Sequence, residues 1–494
     1  MGLFINGVPW GPAQSATFVV ASSTSKNRDK ADYLCDGTAD DVQIQAAIDA
    51  LPANGGKVLL LEGTYNITTG IVALKQNLTI EGQGSGTVIN TAAGSEDVAV
   101  ITFGDGGATT YANQRIANLK VTSANPKTSE AGIKFNKCFK CWLQNLIIEW
   151  QYRGVYFYNT TEVWFDFSDI RNSEENGIVI ESVGGNTYDW NFTNLILDNP
   201  DVSNNGIGLY WISGETLVVH GMDILQFQTA LLIQPGEGQE ARWAFIEGLI
   251  ADTSGDNGIR VTQTGTGDAT GITFVNCWSG SNTNYGILVD EQGGGEVEGI
   301  RFVDCKVCNN GLAGFRIAGG TNLAIQNSDI FSNSATVADA RHGIEVVAGI
   351  EHISIEGNRI VNGYDHGNTQ GYAINFDAGA TDYYTVVNND VEPNDNTPRI
   401  NNAATGTHRR VEGNLGYVTE NQGTSSVTSG NTTVTVAHGL SVTPNIINVV
   451  FAEQGTNDYG RWWVDTVGAA NFVVNVSADP GASNLDFWWE AKWR

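Results

Sequence analysis

Basic residues, methionine, proline, cysteine and long apolar runs are all scarce in this chain, and each shortage removes a class of protein. Lys plus Arg number 26 against 54 Asp plus Glu, a formal net charge of −28, which disfavours DNA, RNA or an anionic membrane as the main partner. No run of about 18 apolar residues offers a bilayer span, and the opening MGLFINGVPWGPAQ lacks the basic start and apolar stretch of an export signal. The expectation is no membrane insertion and no recognisable signal peptide. Six cysteines, Cys35, Cys138, Cys141, Cys277, Cys305 and Cys308, are too few and too scattered for a disulfide framework in 494 residues and read as thiols. CFKC and CKVC have no further Cys or His at zinc spacing, so no metal is expected there. Two Met and ten Pro against 59 Gly describe a chain poor in helix filler and rich in tight turns, hence many short strands. With 41% hydrophobic and 16% charged residues the chain can bury a large core, and its length points to several domains or an elongated repeat.

One segment reads as a helix. In DGTADDVQIQAAIDALPANGGKVLLLEGTYNI, Ile44, Ala47, Ile48 and Leu51 recur at helical spacing, which predicts a helix over Ala39 to Leu51 ended by Pro52. A repeat then takes over: AGIKF, RGVYF, NGIVI, NGIGL, TALLI, NGIRV, YGILV, AGFRI and HGIEV. Their anchors, Gly132, Gly154, Gly177, Gly206, Ala230, Gly258, Gly286, Gly314 and Gly343, are spaced 22 to 29 residues apart. A second strand motif falls within each period. Leucine-rich repeats and propeller blades do not fit this period and content, which leaves a parallel β-helix of stacked coils over residues 54–416. ITFVNCWSGSNTNYGILV aligns without a gap on IRFVDCKVCNNGLAGFRI, placing Cys277 over Cys305. Residues 1–53 form an N-terminal segment with a capping helix. After the linker 417–423 comes a Ser/Thr/Gly-rich joint, SSVTSGNTT, and alternating strands over 424–494 predict a small antiparallel, β-sandwich-like domain. Its five Trp, from Trp462 to Trp493, exceed what one small core needs and suggest a subunit interface.

The DGTADD…IQAAIDALPANGGKVLLLEGTY block followed by these coils, and NLGYVTENQG before the small domain, resemble the pectate-lyase-like β-helix superfamily, particularly phage tailspikes and polysaccharide depolymerases. The resemblance implies an all-β, right-handed parallel β-helix, usually a homotrimer acting on carbohydrate. It transfers no catalytic residue, because members place their acids on different coils.

A site can still be sought by parity. Seven of the thirteen Trp lie between Trp142 and Trp278, and a sugar's apolar C–H face stacks on aromatic rings. In EVWFDFSDI, Val163, Phe165 and Phe167 alternate inward, which turns Glu162, Trp164 and Asp166 outward. Sliding that frame along Ile148, Ile170, Leu197 and Ile224 yields three outward columns: Trp142, Trp164, Asn191, Val218; Gln144, Asp166, Thr193, His220; and Lys140, Glu162, Asp189, Thr216. Trp190 faces the core. On the other strand, Tyr158, Glu181 and Tyr210 form an outward column beside Tyr156. Glu162 and Asp189, one coil apart at about 4.8 Å, approach the spacing of a retaining glycosidase pair. They are the first catalytic candidates, with Asp166 and Glu181 as reserves. Trp142, Trp164, Tyr156, Tyr158, Tyr210 and His220 are the candidate substrate-binding residues. Asp169, Asp223 and Asp329 precede core isoleucines and read as turn caps.

The leading expectation is a virion-associated or extracellular tailspike-like protein that binds and depolymerises a bacterial surface polysaccharide by glycoside hydrolysis, without a cofactor. Residues near the N-terminus are candidates for contacting other virion proteins. A polysaccharide lyase is a second enzymatic reading and would call for Ca²⁺ and a basic residue at the substrate carboxylate. A non-catalytic trimeric fibre, adhesin or virion decoration protein is the rival from another class.

Overall fold

The computed structural model describes residues 17–184, 187–201, 205–362, 369–392, 398–452 and 459–494, with the backbone of the short strands Phe4–Ile5 and Val8–Pro9. Trp10 lies outside the described residues. The fold is almost wholly β, a parallel β-solenoid of about 12 turns followed by a small antiparallel domain. The chain divides into two compact units, Met1–Ile300 and Arg301–Arg494.

In the first unit each coil contributes one short and one long strand. The short strands stack into a parallel sheet from Ile71–Ala73 to Ile287–Asp290. The long ones, such as Cys138–Glu149, Thr161–Arg171, Tyr188–Asp198 and Gly214–Leu225, pair in parallel beside it. Inward side chains repeat from coil to coil: Ile133, Val155, Ile178, Leu209, Leu231, Ile259 and Ile287 form one buried ladder. Phe103, Phe135 and Phe157 stack in another, with centroids 4.7 and 5.5 Å apart. Each such side chain contributes roughly 1.5–3 kcal/mol of burial, so the repeat holds itself together through nearest-neighbour coils.

The helix is Asp41–Ala50. It buries Ile44, Ala47 and Ile48 and packs against Ile71–Ala73, the end strand of the short-strand sheet. Gln45 finishes that edge: its side-chain amide donates to the Val72 carbonyl and accepts from the Val72 N–H, both at 2.9 Å. One side chain thereby replaces a missing strand. Parallel pairing begins earlier than Asn54, because Thr17–Ala21 already pairs with Gly56–Leu60.

Two departures from strict alternation shape the site. Glu162, Asp189, Thr216 and Trp243, with Lys140 before them, all have φ between 52° and 64°, and the ladder skips each of them. A second left-handed column runs through Asn118, Asn145, Phe167 and Asn194, tied by the Asn145 amide donating to Asn118 Oδ1 at 2.8 Å. Phe167 sits at this corner and is 60% exposed, so it does not point inward as alternation predicts. The chain turns at Phe167 and the buried positions resume at Ser168 and Ile170. Asp169 and Asp223 are outward strand residues in register with Ile147, Ile196 and Ile250, and Asp329 opens the strand Asp329–Phe331. None of the three caps a turn. All six cysteines are free and buried.

In the second unit, short strands Phe315–Ala318, Ile344–Val346, Ile374–Gly379 and Ile400–Ala404 continue the same architecture. A buried amide ladder follows the coils, with Asn358 donating to Asn389 Oδ1 and Asn389 to Asn414 Oδ1, each at 3.0 Å. Two three-stranded antiparallel sheets form the terminal domain: Glu420–Val427, Leu485–Lys492 and Ile446–Phe451 in one, Thr433–Ala437, Asn471–Val476 and Trp462–Asp465 in the other. Most of the expected linker and the start of the Ser/Thr joint are thus strand. Small polar residues hid it: Gly423 lies opposite Trp489, whose indole fills the space a Cβ would need. WWEAKWR is only partly free. Trp489 is buried in the domain's own core and Arg409 lies 4.6 Å over Trp493, while Trp488 is 57% exposed.

Candidate polysaccharide cleft

Two of the three expected outward columns fall on the long-strand sheet as parity predicts, and the third, through Lys140, Glu162, Asp189 and Thr216, lies at a left-handed corner. Arg115, Trp142, Trp164, Asn191, Val218 and Phe245 are successive partners in one column. Gln144, Asp166, Thr193, His220 and Glu247 are partners in the next. Trp190 is fully buried. Trp142 and Trp164 stack with centroids 5.1 Å apart and planes 8° from parallel. This stack runs from coil to coil, so the two rings cover one face of each other. It is not a flat platform. Arg115 is the preceding member of the column, on the side of Trp142 away from Trp164.

That side holds an open cleft of about 580 Å³ lined by Thr79, Arg115, Trp142, Gln144 and Asp166, among others. Arg115 donates to Gln144 Oε1 at 3.2 Å. Burial raises the Asp166 carboxyl above its ordinary range, and a hydrogen bond with Thr193 only partly offsets this. A partly desolvated carboxyl thereby lines the same cleft as Trp142, and a carboxyl held above its ordinary range is what a general acid needs.

Glu162 and Asp189 occupy equivalent corner positions on adjacent coils. Lys140 lies 3.8 Å from Glu162, whereas Asp189 has no ion-pair partner among the described residues. His220 is exposed and pairs with Glu247 at 3.1 Å.

The tyrosines lie on the short-strand sheet, so the expected binding residues fall on two sheets rather than one face. Tyr158 is paired with Glu181, but Tyr210 is paired with Val179 and shares the column of Tyr156. The fourth anchor explains the shift: NGIGL holds two glycines, and Gly208 rather than Gly206 stacks under Gly177. Tyr156 donates to Glu181 Oε2 at 2.5 Å, and Tyr210 donates to Gln234 at 3.1 Å. Burial, then the Glu181 contact, pushes the Tyr156 hydroxyl well above its usual range. Arg153 is held by Glu175 at 2.5 Å.

Sequence reasoning missed Arg115, because its strand, Tyr111–Ser123, precedes the first glycine anchor and was never put in register. It also passed over Trp243 and Phe245, which are 52% and 58% exposed on the same sheet. Among the described residues no group of three or more His, Cys, Asp or Glu could hold a metal ion. No helix is long and apolar enough to cross a membrane.

Residues 131–330 match the family described as right handed beta helix region. No curated protein matches the chain. Among solved structures it is similar to the A-module of the Azotobacter vinelandii mannuronan C-5 epimerase AlgE4, at 17% identity over 80% of this chain and 100% of that one, with a TM-score of 0.53. The tailspike protein gp49 of Pseudomonas phage LKA1 is similar at 12% identity over 91% and 92%, TM-score 0.52. A tailspike mutant of E. coli bacteriophage HK620, in complex with a pentasaccharide, is similar at 10% identity over 92% and 89%, TM-score 0.54. At these identities the likeness establishes the fold: the chain is a right-handed parallel β-helix protein.

Proposed function

We propose that this protein is a tailspike-like depolymerase that binds a bacterial surface polysaccharide along the long-strand sheet and cleaves it by glycoside hydrolysis. One observation carries the reading: Trp142 and the partly desolvated carboxyl of Asp166 border the same cleft. In this scheme Asp166 protonates the leaving oxygen and a corner carboxylate, Glu162 or Asp189, supplies the second group. Glu162 and Asp166 lie four positions apart on one strand, at most about 13 Å between Cα atoms, and a carboxyl pair set wider than one coil would go with inversion. A Glu162–Asp189 pair one coil apart would suit retention instead. Product stereochemistry, read by NMR in the first turnovers, separates these two assignments.

The test is the appearance of new reducing ends on purified host polysaccharides. Full activity in an Asp166→Asn, Glu162→Gln, Asp189→Asn triple variant would overturn the assignment. An unsaturated sugar at the new end would make the protein a lyase, with Ca²⁺ dependence to be checked. Glycan binding without cleavage would make it an adhesin, fibre or decoration protein.

The same reading includes a homotrimer on a virion or in the extracellular space. Its support is the exposed Trp462, Trp463 and Trp488 together with the uncharged edge strand Ile446–Phe451, since an open apolar edge invites pairing with another chain. Light scattering on the full chain and on a chain lacking residues 424–494 tests it. A monomer mass in both would count against the trimer.

A further inference from the structure

We propose that the cleft recognises an acidic sugar, and that Arg115 sets this specificity by pairing with the sugar's carboxylate. The inference rests on the reading of the cleft as a polysaccharide site and deepens it. Its basis is a survey of the arginines in the first unit. Arg153, Arg171, Arg242 and Arg260 each engage a carboxylate. Arg28 donates to two backbone carbonyls at 2.8 and 2.7 Å. Arg115 alone has neither: among the described residues its one hydrogen-bond partner is the neutral Gln144 Oε1. Among the arginines of the first unit, a guanidinium whose one hydrogen-bond partner in the described residues is a neutral amide is the exception.

The carboxylates around it are engaged or differently placed. Glu81, on the neighbouring coil, is held by Lys57 at 2.6 Å and by Asn118 at 3.0 Å, and Arg115 acts on it only as a through-space charge with no hydrogen bond between them. Asp166, on the far side of Trp142, is the group whose charge burial disfavours. Arg115 therefore lines the cleft with most of its planar donor fork unused among the described residues, one coil from Trp142. A fork of that geometry matches a carboxylate in two parallel hydrogen bonds, while the ring bearing that carboxylate stacks on the indole. The net charge of −28 opposes an anionic polymer at long range, but screening at physiological salt limits that repulsion to about 8 Å. Recognition is then decided inside the cleft.

The probe is a set of purified bacterial capsular polysaccharides containing uronic acids, each compared with its carboxyl-reduced, neutral form. Wild-type affinity should fall about tenfold or more on carboxyl reduction. Arg115→Gln should lose a similar factor on the native polymers and little on the reduced ones, and Arg115→Lys should recover only part of it. Equal wild-type affinity for both forms overturns the proposal, as does an Arg115→Gln variant that weakens both equally or neither. Preference for a phosphate-bearing polymer that survives carboxyl reduction overturns it too. The underlying reading fails separately: it falls if Trp142→Ala leaves binding of native and reduced polymers unchanged, whereas loss of both in that variant keeps the cleft whatever Arg115 does.

Discussion

The two sheets of the first unit carry similar inventories, aromatic rings with an acid and an arginine, and use them differently. On the short-strand sheet Tyr156 is spent on Glu181, Tyr210 on Gln234 and Arg153 on Glu175. Lys134 and Arg153 lie 5.5 and 5.4 Å from the Tyr156 ring. On the long-strand sheet, among the described residues, Arg115 hydrogen-bonds only to an amide and Asp166 only to Thr193, and both line a cleft. A satisfied network stiffens a surface; an unsatisfied one beside a cavity has hydrogen bonds to give to a ligand. On the proposed reading the long-strand sheet carries the function and the short-strand sheet the stability.

The sharpest way to break it is to neutralise one acid on each sheet. Asp166→Asn should cost about 10²–10⁴ in turnover if it is the general acid, with binding nearly intact. Glu181→Gln should leave turnover within a few fold. Initial rates of reducing-end release on one host polysaccharide decide it, and a reversed order would move the chemistry to the tyrosine face. Next in size is binding. Trp164→Ala should weaken it by about 1–3 kcal/mol, a scale taken from stacking on other rings, while Tyr158→Ala should change it little. Isothermal titration with the same polymer checks both.

How far the sequence already carried this contrast depends on the column. The coil period, the helix and the inward ladders were legible, because Ile, Val, Leu and Phe recur at positions whose burial they dictate. The Trp142–Trp164 and Gln144–Asp166 columns followed from sliding one strand along another. Counting failed where the backbone leaves the β region. Phe167 was set inward although the chain turns there through φ 48°, in a column whose other members are asparagines. That Asn column was the available signal, since Asn tolerates the left-handed region. Tyr210 was misplaced by a doubled glycine. Arg115 was invisible for a different reason: no sequence pattern reports that an arginine lacks a carboxylate, which only the neighbouring coils decide.

A smaller effect sharpens the stabilising half of the comparison. Tyr156→Phe removes the donor to Glu181 and should lower stability by about 1 kcal/mol, seen as a reduced Tm, with activity on the native polymer unchanged. Trp142→Phe, which touches no such network, should leave Tm almost where it was and still reduce binding.

The smallest expected effect is a pH dependence at Asp166, and its sign follows from burial. A carboxyl whose folded-state pKa is raised binds its proton more tightly in the folded protein than in the unfolded chain. The stability it contributes is fully present below the ordinary Asp value of about 3.9 and is lost as pH rises through the raised value. Above that window the ionised Asp166 is a modest liability, which Asp166→Asn removes. The variant should therefore be slightly more stable than the wild type at neutral pH, with the advantage disappearing as pH falls below the window. Asp198, also raised by burial but outside the cleft, should give the same stability signature on substitution by Asn while keeping activity. Melting curves of the two variants across acid and neutral pH, set beside their turnover, separate a desolvated acid that is used from one that is merely buried.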